Sequence, residues 1–358
     1  MSVSKDKNTG NWNVYTYYKD WQGELKRKMK RGFTTKREAL AWEREFQMEH
    51  SENLDMTFES FIKLYEADRR PRLRLNTWLT KEHMIREKLL PFFGELSVSS
   101  IGSTDIIKWQ NTMINSINER TGEPYSETYL KAINNQLTAI FNHAYKHYGL
   151  KTNPCSKVGS IGKKHALEMQ FWTRDEYSAF AKVIKADKRI YYAYEILYWC
   201  GLRVGELLAL TWADTDFEKR TITINKSYQR LQGEDHITEP KTAKSNRVVS
   251  MPAFLVEELI EYKNLQYEPE PDNRLFTVSK GLLGDHLRSG AEKAGVKRIR
   301  IHDLRHSHVS FLIELGFTPV AIADRVGHES IEITFRYAHL FPNKQTEMAE
   351  RLNEERER

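Results

Sequence analysis

Two cysteines in 358 residues, Cys155 and Cys200, make no disulfide framework and no CxxC pair. A reducing cytosol is the expected setting. No apolar run approaches the roughly 18 residues of a membrane span. The first ten residues (MSVSKDKNTG) do not read as a signal peptide. No nucleotide-binding glycine loop and no HExxH are present, so neither a nucleoside triphosphate nor a zinc-protease site is indicated. His302 and His306 stand four apart as a conceivable metal pair, but no acid-rich partner set accompanies them. No metal and no cofactor are expected.

The chain does have a basic balance, and it is uneven. Residues 1–50 carry 11 Lys+Arg against 7 Asp+Glu, residues 51–165 carry 16 against 12, and residues 166–358 carry 28 against 30. The basic excess therefore lies in the front half. That is where a polyanion grip would sit, because neutralising phosphates releases counterions.

The length suits two or three domains. In residues 10–33, Trp12, Val14, Thr16 and Tyr18 alternate with Asn13, Tyr15 and Tyr17, which is strand periodicity. A turn at 20–23 leads back into the basic strand ELKRKMKRG. Thr35 and Glu38 form a capping box before Ala39, Trp42 and Phe46 at helical spacing. These features predict a three-stranded sheet plus a helix within residues 1–50, with Lys26, Arg27, Lys28, Lys30 and Arg31 as its DNA-contacting side chains.

Residues 55–157 read as an all-α bundle. Phe58, Phe61, Ile62 and Tyr65 keep i, i+3, i+4, i+7 spacing, and Arg70, Arg72 and Arg74 form a basic loop. Pro91 to Gly94 is expected to break a helix. Thr104 is expected to cap one carrying Ile107, Met113, Ile114 and Ile117. Leu130, Ile133, Leu137, Ile140, Ala144 and Tyr148 make one long stripe. Residues 157–166, with Lys163 and Lys164, read as a basic linker.

Residues 167–358 read as mostly helical with a small β-sheet. A second capping box runs from Thr173 to Glu176. A glycine-bracketed GLRVGE places Arg203 and Glu206 after an apolar helix, and strands are expected at 221–224, 237–240 and 247–251. Between the last two, Lys241 and Lys244 ride on what reads as a hairpin. The stretch 301–340 then gathers His302, Arg305, His328 and Tyr337. The last segment, 343–358, reads as an amphipathic tail helix. The fold class is thus multidomain α+β.

These residues suit phosphoryl transfer. Two arginines can fork onto the non-bridging oxygens of a phosphodiester, a phenol can attack phosphorus, histidine can move the proton, and lysine can protonate the leaving oxygen. A lone Tyr337 would usually be a packing residue; the set is what carries the argument.

The run GLRVGE, a lysine at Pro240-Lys241-Thr242, HDLRHS, VGHES and FRYAHL resembles the tyrosine recombinases, or phage integrases, over nearly the whole chain. The likeness is to integrases of temperate phages and integrative conjugative elements of Gram-positive bacteria. It implies an arm-site DNA-binding domain, a core-binding domain and a catalytic domain. It further implies that Arg203 and Arg305 clamp the scissile phosphate and that Lys241 rather than Lys244 is the general acid. His302 would accept a proton, His328 would hydrogen-bond a phosphate oxygen, Tyr337 would form a 3′-phosphotyrosyl ester, and Glu206 would orient its neighbours. The implied partners are double-stranded DNA attachment sites (core and arm sites), three further copies of the chain in a homotetramer on DNA, and accessory directionality or DNA-bending factors. No membrane is involved, and the bacterial host cytoplasm is the implied location. A type IB topoisomerase shares such a catalytic set, and a non-catalytic DNA-binding regulator could retain the fold. The basic strand gives a first test: removing residues 1–50 should abolish binding to part of the attachment DNA in a mobility-shift assay and flatten the salt dependence of what remains. Unchanged binding at every site would refute the assignment.

Overall fold

A computed structural model of the chain describes residues 3–6, 9–19, 25–50, 54–163, 169–240, 242–335, 337 and 356. Its contacts divide it into two compact units, residues 1–167 and 168–358.

The first unit opens with an antiparallel sheet, β1 (Val3–Lys5), β2 (Trp12–Lys19) and β3 (Leu25–Phe33), in the order β1-β2-β3. Val14, buried with Val3 and with Ala39 of α1 (Lys36–His50), centres a small core. A register irregularity between Trp12 and Val14 departs from the simple alternation and accounts for Asn13 being buried beside Val14. Helix α1 starts as expected: the Glu38 backbone N–H donates to Thr35 Oγ1 at 3.2 Å, and the Glu38 carboxylate accepts from the Thr35 N–H at 3.3 Å. Along β3 every side chain from Leu25 to Gly32 faces solvent.

A separate helical core follows. It is built from α2 (Phe58–Arg69), α3 (Leu75–Met84), α4 (Leu90–Phe93), α5 (Ser103–Asn115) and α6 (Glu127–His147). The apolar stripes of α2 and α6 are buried as their periodicity requires: Phe58, Phe61, Ile62 and Tyr65 meet Leu130, Ile133, Leu137, Ile140 and Ala144.

Three expectations for this unit need correction in detail. The helix ends within the expected Pro91–Gly94 stretch, at Phe93, but Pro91 itself does not break it. A five-residue π-type turn, Ile85–Leu89, lets Pro91 fall in the first turn of α4, where a missing N–H is tolerated, and the chain stays helical to Phe93. Helix α5 is capped from Gly102, whose N–H donates to Asp105 Oδ2 at 3.0 Å, not by Thr104. It buries Ile106, Trp109 and Gln110 and leaves Ile107, Ile114 and the following Ile117 exposed. The beginning of the expected linker is docked on the bundle: Gln110 Nε2 donates to the Gly159 carbonyl at 3.1 Å, Asn134 Nδ2 to Ser160 Oγ at 3.1 Å, and Val158 and Ile161 pack on the core.

The second unit is mainly helical. Helices α7 (Arg174–Ile184), α8 (Lys188–Trp199) and α9 (Val204–Ala209) precede five short strands: β4 (Thr215–Asp216), β5 (Thr221–Ile224), β6 (Ser227–Leu231), β7 (Glu234–Thr238) and β8 (Arg247–Ser250). Helices α10 (Ala253–Asn264), α11 (Lys280–Ala294), α12 (Asp303–Glu314), α13 (Pro319–Val326) and α14 (Ile331–Phe335) follow. The Thr173/Glu176 capping box at the start of α7 is formed. Helix α8 is buried nearly all round, which is why its sequence shows a continuous apolar and aromatic run instead of a stripe.

The strands pair in two sheets, β4-β5-β8 and β6-β7. Residues 242–246 therefore do not close a hairpin. They carry the chain from one sheet to the other through a 3₁₀ turn at Ala243–Ser245, and the true hairpin is β6-β7, closed at Gln232 and Gly233. The tail 343–358, the turn at 20–23 and the remainder of the linker lie largely outside the described residues. No helix among the described residues is long and apolar enough to cross a membrane.

The two faces of the bundle give contrasting tests. Ile133→Ala should lower the unfolding free energy of the full chain by about 2–5 kcal/mol, since it empties a fully buried site. Ile107→Ala should change it by no more than about 0.5 kcal/mol in the same urea titration.

Candidate active site

The site is assembled from two tight turns and one helix start. The first turn follows α8, where Gly201 adopts φ +64°. A Cβ there would stand 2.5 Å from His308 Cδ2, so only glycine fits, and its carbonyl accepts a hydrogen bond from Arg305 Nη1 at 3.0 Å. Two residues on, Arg203 precedes α9. Its backbone N–H donates to Glu206 Oε2 at 3.0 Å and its guanidinium to Glu206 Oε1 at 2.6 Å.

The second turn ends α13 at Gly327, also left-handed at φ +65°, with no room for a Cβ against the Lys244 carbonyl 2.8 Å away. Its carbonyl accepts from Arg203 Nη2 at 3.3 Å, while Arg305 Nη2 donates to the neighbouring Val326 carbonyl. Both arginines thus converge on the turn that presents His328. The two glycines flanking GLRVGE and VGHES motif residues are there because the backbone must fold this tightly around arginine side chains.

Glu206 is 4% exposed and needs its partners. Besides Arg203 it is held by Arg247, whose Nη2 donates to Oε2 at 3.0 Å and Nη1 to Oε1 at 3.2 Å. Arg247 is buried too, and its Nε reaches the Arg325 carbonyl at 3.0 Å. Burial pushes the Glu206 carboxyl up; the Arg247 hydrogen bond and charge, with Arg203 behind them, more than reverse this and hold it below the ordinary glutamate value. Arg247 was not among the residues singled out from sequence, where it read as the first residue of a strand.

Helix α12 carries Asp303, Arg305, His306 and His308 in its first turn and a half, with His302 just before it. Asp303 is pinned by Arg300, whose backbone N–H and Nη2 both donate to it at 2.8 Å. Arg305 lies buried; burial and then the Arg203 charge lower it to about 9, so it remains a cation at neutral pH. His302 is at the helix start, where partial desolvation, then Arg305 and Arg203, depress its pKa. His328 is buried and hydrogen-bonded through Nδ1 to Thr334 Oγ1 at 2.8 Å; burial, then Arg305 and Arg203, hold it at about 3, a neutral ring.

Tyr337 is only 2% exposed. It packs with Val309, Ile313, Ile322 and Val326, and its hydroxyl is hydrogen-bonded to His306 Nδ1. From sequence alone His306 stands out only as half of a conceivable metal pair with His302.

The structure thus brings Arg203, Glu206, Arg305 and His328 together around two turns, with His302 and Tyr337 reached through α12. Lys241 lies outside the described residues; Lys244 is exposed. A cavity of about 790 Å³ adjoins His302, and Lys280, Arg288, Arg298 and Arg300 line it. None of these four was singled out, because the slight acidic excess of residues 166–358 hides a local basic cleft.

Of the expected DNA-contacting side chains, Lys26, Lys28 and Arg31 are exposed on β3, Arg27 lies over the Tyr15 ring at 4.9 Å, and Lys30 over Trp42 at 4.9 Å. Arg70 pairs with Glu66 at 3.1 Å within the 3₁₀ turn Arg70–Arg72, Arg72 and Arg74 are exposed, and Lys163 pairs with Glu127 at 3.3 Å. Lys164 lies outside the described residues.

The fold is that of the solved integrases. A Tn1549 transposon integrase in complex with a circular intermediate DNA aligns with 85% of this chain and all of its own (TM-score 0.68, 22% identity). A lambda integrase dimer bound to a core site aligns with 94% of each (TM-score 0.59, 17% identity). Residues 170–344 match the phage integrase family, residues 57–114 the phage integrase N-terminal SAM-like domain, and residues 2–49 an arm DNA-binding domain. The ICEBs1 integrase of Bacillus subtilis is 30% identical over 346 residues, 90% of both chains, and the integrase of Staphylococcus phage L54a is 26% identical over 291 residues, 68% of this chain and 81% of its own. The chain belongs to the phage integrase family, the tyrosine recombinases of phages and mobile elements. It is a site-specific recombinase of the kind that serves integration of a mobile element.

Removing Arg247 should strand the buried Glu206 carboxylate on a single partner. Arg247→Ala should therefore cost about 3 kcal/mol of stability at neutral pH. Because the folded-state pKa of Glu206 is depressed, this contribution is present above the unfolded glutamate pKa and lost as pH falls through the folded one. Denaturant titrations of parent and variant should accordingly converge on acidification below the ordinary glutamate range.

Proposed function

We propose that the chain cuts and rejoins DNA at attachment sites with Tyr337 as nucleophile, storing each broken bond as a 3′-phosphotyrosyl ester. The observation that carries this reading is the convergence of Arg203 and Arg305 on the Val326–Gly327 turn beside His328. Two guanidiniums fixed through backbone carbonyls are preorganised to receive the two non-bridging oxygens of a phosphodiester and the charge that grows on them. Neutral His328 is suited to donate a hydrogen bond to one of those oxygens through the nitrogen that Thr334 does not engage. His302 serves as a proton acceptor at the same phosphate. Glu206 keeps Arg203 aimed by holding its backbone and its guanidinium at once.

Lys241 is assigned the protonation of the 5′-oxygen as it leaves, with Lys244 of the 3₁₀ turn Ala243–Ser245 as the other candidate lysine. A second 5′-hydroxyl then attacks the phosphotyrosine in reverse, so no ATP is required.

In this reading residues 1–50 bind arm sites, residues 55–157 grip core sites, and residues 167–358 carry the chemistry. Lys26, Arg27, Lys28, Lys30 and Arg31, with Arg70, Arg72, Arg74, Lys163 and Lys164, contact the DNA backbone, and in the second unit the basic cleft beside His302 does the same. Four copies act together on two sites. The support is the similar lambda integrase, solved as a tetramer bound to a Holliday junction (TM-score 0.56, 17% identity). Accessory directionality or DNA-bending factors, and action in the cytoplasm of a bacterial host, complete the reading.

Incubation with nicked DNA containing the attachment site, followed by denaturation in SDS, tests the chemistry. The parent should leave a covalent protein–DNA adduct and Tyr337→Phe none; Arg203→Ala and Arg305→Ala should each slow its formation by about 10²–10³. An adduct formed equally by Tyr337→Phe would refute the reading. Efficient relaxation of supercoiled DNA lacking an attachment site would instead favour a topoisomerase.

A further inference from the structure

Tyr337 is not held by the histidine that the motif comparison points to. Its hydroxyl meets His306 Nδ1, and the opposite ring nitrogen, Nε2, faces Asp303 Oδ1 at 3.9 Å. His302 is a further step away, its ring edge-on to His306 with centroids 5.0 Å apart. Asp303, His306 and Tyr337 therefore stand in the order carboxylate, imidazole, nucleophile. At 3.9 Å the carboxylate makes no hydrogen bond to the ring, but its negative charge on that side favours hydrogen on Nε2, leaving the Nδ1 lone pair to accept from the hydroxyl.

We propose that His306, in place of the His302 that the family resemblance implies, receives the Tyr337 phenolic proton as the oxygen attacks, with buried Asp303 beside the ring. The inference rests on Tyr337 being the nucleophile and adds the group that activates it. In the step, the Tyr337 O–H bond breaks and its proton passes to His306 Nδ1 while the phenolic oxygen forms a bond to phosphorus. The P–O5′ bond breaks, and the departing 5′-oxygen takes its proton from a separate acid. In the rejoining step the incoming 5′-hydroxyl gives its proton back to that acid as its oxygen bonds to phosphorus, and the imidazolium returns the first proton to the leaving phenolate, so the enzyme ends unchanged.

The surroundings of His306 fit this role. Among the described residues, the charged and titratable groups that face it are His302, Asp303, Arg300 and Arg305 of its own segment, His328 from the turn after α13, and Tyr337 itself. Burial, and then His302, lower its pKa to about 4, so the ring is neutral and able to accept throughout the neutral range. Asp303 stays fixed opposite it because Arg300 grips the same carboxylate through both backbone and guanidinium. Tyr337 is buried, so water is not well placed to take the proton instead.

The test is single-turnover adduct formation on nicked attachment-site DNA across pH 6 to 9, with the full-length protein. Parent rates should be nearly flat over this range. His306→Ala should be about 100-fold slower at pH 7 with unchanged DNA affinity in a mobility-shift assay. Its rate should climb with pH as phenolate forms unaided, so that the gap narrows to about tenfold or less at pH 9. His306→Asn, which can accept a hydrogen bond from the hydroxyl but cannot take the proton, should show the same slow, pH-dependent rate. A gap constant with pH in both variants, or full activity in either one, would overturn the proposal while leaving Tyr337 as nucleophile. An adduct formed by Tyr337→Phe would instead remove the reading on which it rests.

Discussion

The Glu206 carboxylate, shut away from water between Arg203 and Arg247, is the interaction on which the site depends. A buried carboxylate is tolerable only with its charge met and its oxygens occupied, and here both are met from two directions. Arg203 comes from the turn after α8, Arg247 from the first residue of β8. Arg247 continues to the Arg325 carbonyl, and Arg203 to that of Gly327, so one anion ties the glycine turn, the small sheet and the end of α13 into a single frame. Arg305 joins the frame from α12 through Gly201 and Val326. Several cations crowd one small volume, and the frame is what holds them there before any phosphate arrives. A phosphodiester entering such a site meets guanidiniums already immobilised, so little reorganisation accompanies the growth of negative charge.

The cost of this arrangement falls on the histidines. His302, His306 and His328 are all pushed below the ordinary imidazole value by desolvation and by neighbouring positive charge. They are therefore neutral in the physiological range, able both to donate and to accept hydrogen bonds. Positive charge in the frame is thus carried by the arginines, while the three rings beside them are neutral. The division of labour follows from electrostatics alone, since a ring beside a fixed guanidinium holds a proton poorly.

How far the sequence revealed this depends on the range of each interaction. Stripes on α2 and α6 and the capping boxes at Thr35 and Thr173 are local patterns, and they were readable within a few residues. GLRVGE, HDLRHS and VGHES were readable as a set through the family resemblance, and in two of them the tight turns at Gly201 and Gly327 keep the run short and recognisable. Arg247 was not readable: its partner lies 41 residues earlier and only the fold brings them together. His306 was overlooked because the tyrosine it touches is 31 residues away, and its burial beside Tyr337 comes from the packing of α12. Pro91 misled because a proline's usual effect on a helix is reversed once a π-type turn resets the register ahead of it. The segment carrying Lys241 read as a hairpin because strand pairing between β5 and β8 skips over the intervening β6-β7 pair, which no local pattern discloses.

The central claim is that one phenol, Tyr337, takes the DNA. It is tested most directly by trapping the covalent complex on a nicked attachment site, digesting protein and DNA, and sequencing the nucleotide-bearing peptide by mass spectrometry. The account predicts a phosphotyrosyl link at Tyr337 joined to a 3′-nucleotide. A link at any other residue, or to a 5′-phosphate, would contradict it.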